Sequence, residues 1–216
     1  MQDLFVYNYY TSKPKKSSYF FIDIGANDGI TLSNTYMLEM LSNLPKDTPH
    51  YQNWSGILIE ADSNVFPKLL QNRQSPTSTK YNVALCDKDE EIEFLQIQGP
   101  QMLSGIMSEY NKEHLERIER EIAEFGGSKK IIKIQGMKFD SIMANHKDIK
   151  EIDYLSIDVE GGEMSILESI DFSKYHIHLI GIEDNYPQDS GIYEFLSARG
   201  YKEIIRLGCD RFFERI

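Results

Sequence analysis

The sequence predicts an α/β fold built on a mostly parallel sheet. Three observations carry this. Apolar strand-like runs alternate with helical patterns along the 216 residues, the order that joins parallel strands through crossover helices. Several of those runs end in an acid followed by glycine or a polar loop, as in Phe21-Ile22-Asp23-Ile24-Gly25-Ala26-Asn27-Asp28-Gly29 and Gly56-Ile57-Leu58-Ile59-Glu60. The chain closes with two extended runs around Gly208-Cys209-Asp210, a short hairpin.

The elements follow in order. A first strand covers 19–24, and Gly25 and Gly29 frame a tight loop. A helix over 31–41 places Leu32, Tyr36 and Met40 on one face. The second strand covers 56–60, and Ser63 caps a helix that turns Phe66, Leu69 and Leu70 inward. A third strand spans 80–86, a polar turn 87–90, and Ile92, Phe94 and Leu95 form a further strand, paired antiparallel. Residues 98–130 read as a substrate or lid insertion, in which Ser108 caps a charged helix with Leu115, Ile118, Ile122 and Phe125 along one side. Short extended pieces at 131–134 and 137–139 lead to a helix at 140–144, a buried strand at 152–160 and a helix at 163–170. The last parallel strand, 177–182, ends in Glu183-Asp184-Asn185, and a helix at 190–198 stops at Gly200. A mostly parallel seven-stranded central sheet with a C-terminal antiparallel hairpin is the outline of a Rossmann-like class I methyltransferase.

Composition bounds the function. The length predicts one domain with a good-sized core. No apolar run approaches the roughly 20 residues that span a bilayer, and residues 1–18 contain no apolar signal core, so the expected location is cytoplasmic. A formal net charge of -11 opposes nucleic-acid binding. The small lysine groups Lys13, Lys15, Lys16 and Lys129, Lys130, Lys133 read as solvated surface. Cys86 and Cys209 match no metal or redox spacing and are expected to be reduced.

The expected ligand follows from the first loop. Gly25 and Gly29 give G-x-x-x-G, not the dinucleotide G-x-G-x-x-G, which argues against an NAD oxidoreductase. Asp23 at a strand end would repel a pyrophosphate but suits a sulfonium or ammonium, which points to S-adenosylmethionine. Glu60, ending the second strand, suits the two ribose hydroxyls of an adenosine. Ligands of open α/β sheets bind at the carboxyl ends of the strands, where Asp23, Glu60, Asp158, Glu160, Glu163 and Glu183 gather. Asp158 and Glu160 lie two residues apart, so an extended backbone would aim both the same way. Three roles remain open for these acids: a general base for a substrate hydroxyl, a divalent metal site shared by Asp158 and Glu183 with Asp184 or Asn185, or capping of helix N-termini beside the cofactor. His114, in the charged helix, could reach over a pocket; it, His176 and His178 read as structural.

The chain resembles the FkbM family of S-adenosylmethionine-dependent methyltransferases. The matching segments are the 21–29 loop, Gly56-Ile57-Leu58-Ile59-Glu60-Ala61, Asn82-Val83-Ala84-Leu85, and Ile152-Asp153-Tyr154-Leu155-Ser156-Ile157-Asp158-Val159-Glu160-Gly161-Gly162-Glu163. The resemblance implies that Asp23, Gly25 and Asn27 hold the methionine part of the cofactor, Glu60 the ribose and Ala84 the adenine. It implies that Asp158, Glu160 and Glu163 sit beside the reacting methyl. It also implies O-methyl transfer to a sugar, a nucleotide-linked sugar or a surface-polysaccharide unit, as in capsule biosynthesis. A small-molecule O-methyltransferase, with Tyr110 and Phe125 lining its pocket, and a non-catalytic cofactor-binding protein are the alternatives. A homo-oligomer, with the 98–130 helix against a second subunit, is left open.

Overall fold

The computed structural model describes residues 2–216. Helix α1 (Gln2–Thr11) precedes strand β1 (Tyr19–Ile24), helix α2 (Tyr36–Ser42), strand β2 (Trp54–Ile59), helix α3 (Phe66–Asn72) and strand β3 (Ser78–Tyr81). Strands β4 (Ala84–Leu85), β5 (Glu91–Gln98) and β6 (Gly105–Ile106) come next, then helix α4 (Lys112–Phe125), strand β7 (Ser128–Met137) and helix α5 (Phe139–Met143). Strand β8 (Glu151–Ile157), helix α6 (Glu163–Ser169), strand β9 (His176–Glu183), helix α7 (Ile192–Ser197) and the hairpin β10 (Tyr201–Leu207) and β11 (Asp210–Arg215) complete the chain.

The main sheet has seven strands in the order β10-β11-β9-β8-β1-β2-β3. The pairs from β9 through to β3 are parallel. Strand β11 runs antiparallel to both its neighbours. The sequence order therefore reverses between β1 and β8, which opens a crevice at their carboxyl ends. A second sheet, β4-β7-β5-β6, stands beside the first. This is the α/β class I methyltransferase architecture that the sequence predicts.

Alternation along β1 builds the two sides of the core. Tyr19 and Phe21 face a cluster with Val6, Tyr10, Trp54 and Phe212, while Ile22 and Ile24 face one with Ile57, Leu155, Ile177 and Phe213. Each fully buried Phe or Ile contributes roughly 1.5–3 kcal/mol, so the sheet is held from both faces. Helix α1 lies on the first face: Tyr10 donates a hydrogen bond to the Asp153 carbonyl at 2.5 Å, and Phe5 packs on Phe212 with ring centroids 4.5 Å apart. No helix among the described residues is long and apolar enough to cross a membrane.

Several elements differ from expectation for local reasons. The helix expected from 31 begins at Tyr36, because Asp28 takes the N–H groups of Ile30 and Thr31 and the Ser33 hydroxyl takes those of Thr35 and Tyr36. Such side-chain bonds offer the backbone an alternative to helix. The expected strand at 80–86 is two strands in two sheets. Asn82 turns the chain between them, donating to the carbonyls of Glu60 and Ala61. The charged helix is capped by Asn111 rather than Ser108, with the Asn111 side chain accepting from the His114 N–H at 2.8 Å. The piece at 131–134 belongs to one long strand, β7, whose residues 128–135 pair with β5 and whose last two pair with β4, while the piece expected at 137–139 is the end of β7 and the start of α5.

Candidate active site

Gly25 follows β1 with φ +88°. A Cβ there would stand 1.7 Å from the Asp158 carbonyl oxygen, so only glycine lets the β1 and β8 loops meet. The N–H groups of Gly25 and Ala26 both donate to the Ile59 carbonyl at 3.0 Å, pinning this loop to β2. The three strand ends thus surround a cavity of ≈ 260 Å³. Gly25, Asn27, Glu60, Ala84, Asp158, Glu160 and Glu183 line it, with Ile59, Val65, Val83, Leu85 and Phe94 as its apolar part.

The Glu60 carboxylate is locked. Its Oε2 accepts from the Asn27 N–H at 2.8 Å and its Oε1 from the Asp62 N–H at 2.7 Å. Burial pushes its pKa up to about 7 against those two bonds. At the opposite end Asp158, Glu160 and Glu183 form one acidic cluster. All three pKa values are raised, first by burial, and next by Glu183 for Asp158 and Glu160 and by Glu163 for Glu183. Asn34 donates to Asp158 at 3.3 Å, and Arg117 of α4 donates to Glu160 at 3.1 Å. Glu183 keeps a buried Oε2 with no hydrogen-bond partner. Glu160 sits at φ +59°, a left-handed conformation that costs a side-chain-bearing residue roughly 1–2 kcal/mol. The extended geometry expected for the Asp158–Glu160 pair is therefore absent, and the turn itself brings Glu160 to Arg117.

Two expected residues stand elsewhere. Asp23 does not line the cavity. The two-residue period of β1 puts it on the Phe21 face, 1% exposed, where Thr35 Oγ1 donates to it at 2.6 Å. It braces the segment that carries Asn34. Glu163 is turned back onto its own turn, accepting from the Gly161 N–H at 2.9 Å, and burial raises its pKa to about 7. Phe125 is 69% exposed at the end of α4 and does not line the cavity; Tyr110 stacks on His114 and donates to the Leu103 carbonyl.

The donor set does not fit a metal. Among the described residues no group of three or more His, Cys, Asp or Glu side chains is arranged to hold one. Asp184, the third ligand expected beside the Asp158–Glu183 pair, accepts through one oxygen from Arg211 at 2.7 Å and from Ser190 at 3.1 Å.

The residues do fit S-adenosylmethionine. A buried carboxylate that keeps lone pairs free faces one end of the cavity, apolar side chains flank the middle, and an unpartnered carboxylate oxygen stands in an acidic cluster at the other. A sulfonium there would be the missing counter-charge.

Asn34 and Arg117 are the residues that sequence reading missed. Arg117 flanks the apolar stripe Leu115, Ile118 and Ile122, the one signal that could have aimed it inward. Asn34 lies in a polar run, Ser33-Asn34-Thr35, at the entry to α2.

Fold, glycine loop and strand-end acids together define an S-adenosylmethionine-dependent methyltransferase of class I. Residues 23–203 match the methyltransferase FkbM domain, and the chain belongs to that family. No curated protein matches the sequence. Among solved structures, a human methyltransferase 10 domain containing protein is 13% identical, covering 98% of this chain and 80% of its own at a TM-score of 0.49. A putative RNA methyltransferase from Pyrococcus horikoshii is 11% identical, covering 100% and 81% at a TM-score of 0.48. A ribosomal protein L11 methylase from Lactobacillus delbrueckii subsp. bulgaricus is 8% identical, covering 100% and 78% at a TM-score of 0.44. The acceptors in these names differ, and a shared fold specifies none.

Proposed function

We propose that the protein transfers a methyl group to a hydroxyl oxygen of a sugar unit, with Asp158 as general base. The observation that supports this is Asp158 itself. It lines the cofactor cavity, it has one weak side-chain bond, from Asn34 at 3.3 Å, and its pKa is raised by burial and by Glu183. A carboxylate made more basic in this way is better matched to a hydroxyl proton than an ordinary surface one.

Bound S-adenosylmethionine supplies an electrophilic methyl on a positively charged sulfur. Gly25 and Asn27 would lie along its methionine part, Glu60 at the ribose hydroxyls and Ala84 at the adenine. Glu160 and Glu183 hold the negative potential at the sulfonium end. Positive charge there favours ionised carboxylates, so Asp158 is primed as the site fills. Asp158 then accepts the proton from the acceptor hydroxyl as the oxygen takes the methyl. Glu163 holds the Gly161 turn and acts by positioning, and Asp23 supports Asn34 through Thr35. Residues 98–130 carry α4 and Arg117 to the edge of the cavity and contribute to acceptor choice.

The test is Asp158→Asn. It keeps the shape and the Asn34 contact, so S-adenosylhomocysteine should bind within about threefold of wild type, while turnover on a sugar panel falls by roughly 10²–10⁴. Wild-type turnover in this variant would remove Asp158 from the chemistry.

A further inference from the structure

Beyond the cofactor cavity lies a second one, of ≈ 160 Å³, between α4, the turn after β8 and the segment after β9. Glu183 lines both, so the two spaces adjoin at the acidic cluster. The wall of the second carries five acids, Glu109, Glu163, Glu183, Asp184 and Asp189, and no lysine or arginine among the described residues. Two of its side chains are almost fully buried yet unsatisfied. His114 is 3% exposed with no partner for Nε2, and Asp184 is 3% exposed with no partner for Oδ1. A buried polar atom left without a partner is costly to the fold, and a ligand that supplies the partner recovers that cost.

We propose that this cavity is the acceptor subsite, and that it selects an acceptor carrying a protonated amine beside its hydroxyls while rejecting phosphorylated or carboxylated ones. The proposal rests on the methyltransferase reading above. Its chemistry follows from the unpartnered atoms. Asp184 Oδ1 and Glu183 Oε2 are carboxylate oxygens, and an ammonium brings three donors to meet them. A phosphate brings negative charge and acceptors to a wall already negative. Arg211 pairs with Asp184 through Oδ2 and with Glu203 from outside the cavity, which offsets Asp184 and leaves Glu109, Glu163, Glu183 and Asp189 to set the charge of the wall. Arg117 lines the first cavity and is held by Glu160 and Glu121. Burial and Arg117 lower the His114 pKa, so its ring enters as a neutral hydrogen-bonding group and not as an anion-binding cation.

The test titrates isotope-labelled protein, saturated with S-adenosylhomocysteine, with glucosamine, glucose and glucose 6-phosphate. The readouts are the methyl signals of Met164 and Ile192 and the ring of His114, all in the second cavity. Glucosamine should shift them at concentrations about fivefold lower than glucose, and glucose 6-phosphate only above the glucose range. Asp189→Asn should narrow the glucosamine advantage about twofold without changing S-adenosylhomocysteine affinity. If S-adenosylhomocysteine itself fails to bind, the methyltransferase reading falls and this proposal with it. If it binds but glucose 6-phosphate is the tightest probe, or none of the three moves those signals, the acceptor proposal alone is overturned.

Discussion

Replacing Glu60 by glutamine probes the cofactor cavity with the least change of shape. The wild-type carboxylate accepts two backbone N–H groups, at 2.8 and 2.7 Å, with its two oxygens. Glutamine keeps one acceptor and must turn its NH₂ toward the other N–H. A hydrogen bond to a charged group contributes about 1.5–3 kcal/mol. Part of that loss is offset, since a neutral amide avoids the desolvation that raises the Glu60 pKa to about 7. A net cost of about 1–2 kcal/mol follows, or roughly 2–8 °C in Tm for a chain of this size. The larger effect falls on binding. The ribose hydroxyls lose a charged acceptor, and about 1.5–3 kcal/mol converts to a roughly 10–100-fold weaker Kd. Calorimetric titration with S-adenosylhomocysteine at pH 6 and pH 8 reads this directly. Wild-type affinity should rise with pH as Glu60 ionises, the variant should rise less because only the acids at the other end of the cavity still titrate, and the gap should be widest at pH 8. A variant Kd within twofold of wild type at pH 8 would refute the assignment of Glu60 to the ribose.

Other perturbations test the rest of the site. Gly25→Ala places a Cβ 1.7 Å from the Asp158 carbonyl oxygen at φ +88°, so the β1 and β8 loops must separate; titration should show S-adenosylhomocysteine binding lost, and retained binding would mean the loops part cheaply. Arg117→Ala removes ion pairs to Glu160 and Glu121. Its side chain is 31% exposed, so stability should change by less than about 1 kcal/mol. Glu160 then loses a neighbouring cation that lowers its pKa, so the Glu160 carboxyl, followed by NMR, should titrate at higher pH; an unmoved titration would show that Arg117 does not act on this acid. Thermal melts of the ligand-free protein should show stability falling from pH 5 to pH 8. Glu60 and Glu163 have pKa values raised from 4.5 to about 7, so the stability each adds is complete below the unfolded value and lost as pH rises through the folded one. Each costs the folded state at most about 3 kcal/mol at pH 8, and a Tm that rises over this range would contradict the buried, ionisable placement.

Strand ends and glycine loops were legible in the chain because they are written in local periods. A run of alternating apolar residues closed by an acid and a glycine places Gly25, Glu60 and Asp158 at one sheet edge without reference to any other segment. The same local reading did not reveal the face of Asp23, which is set by the pleat of β1 and by Thr35 and Arg73 packed behind it. It also joined β3 to β4, because nothing in the 80–86 run reveals that Asn82 bonds back to the end of β2.

By itself, then, the sequence determined the α/β class, the order of the strands' acidic ends and the family, each resting on interactions among near neighbours. The tertiary structure decided which acids meet. Asn34 reaches Asp158 across 124 residues, Arg117 reaches Glu160 across 43, and Arg211 reaches Asp184 across 27. Those pairings depend on how crossover helices and the second sheet stack against the first, and burial sets the carboxylate pKa values only once that stacking has excluded water.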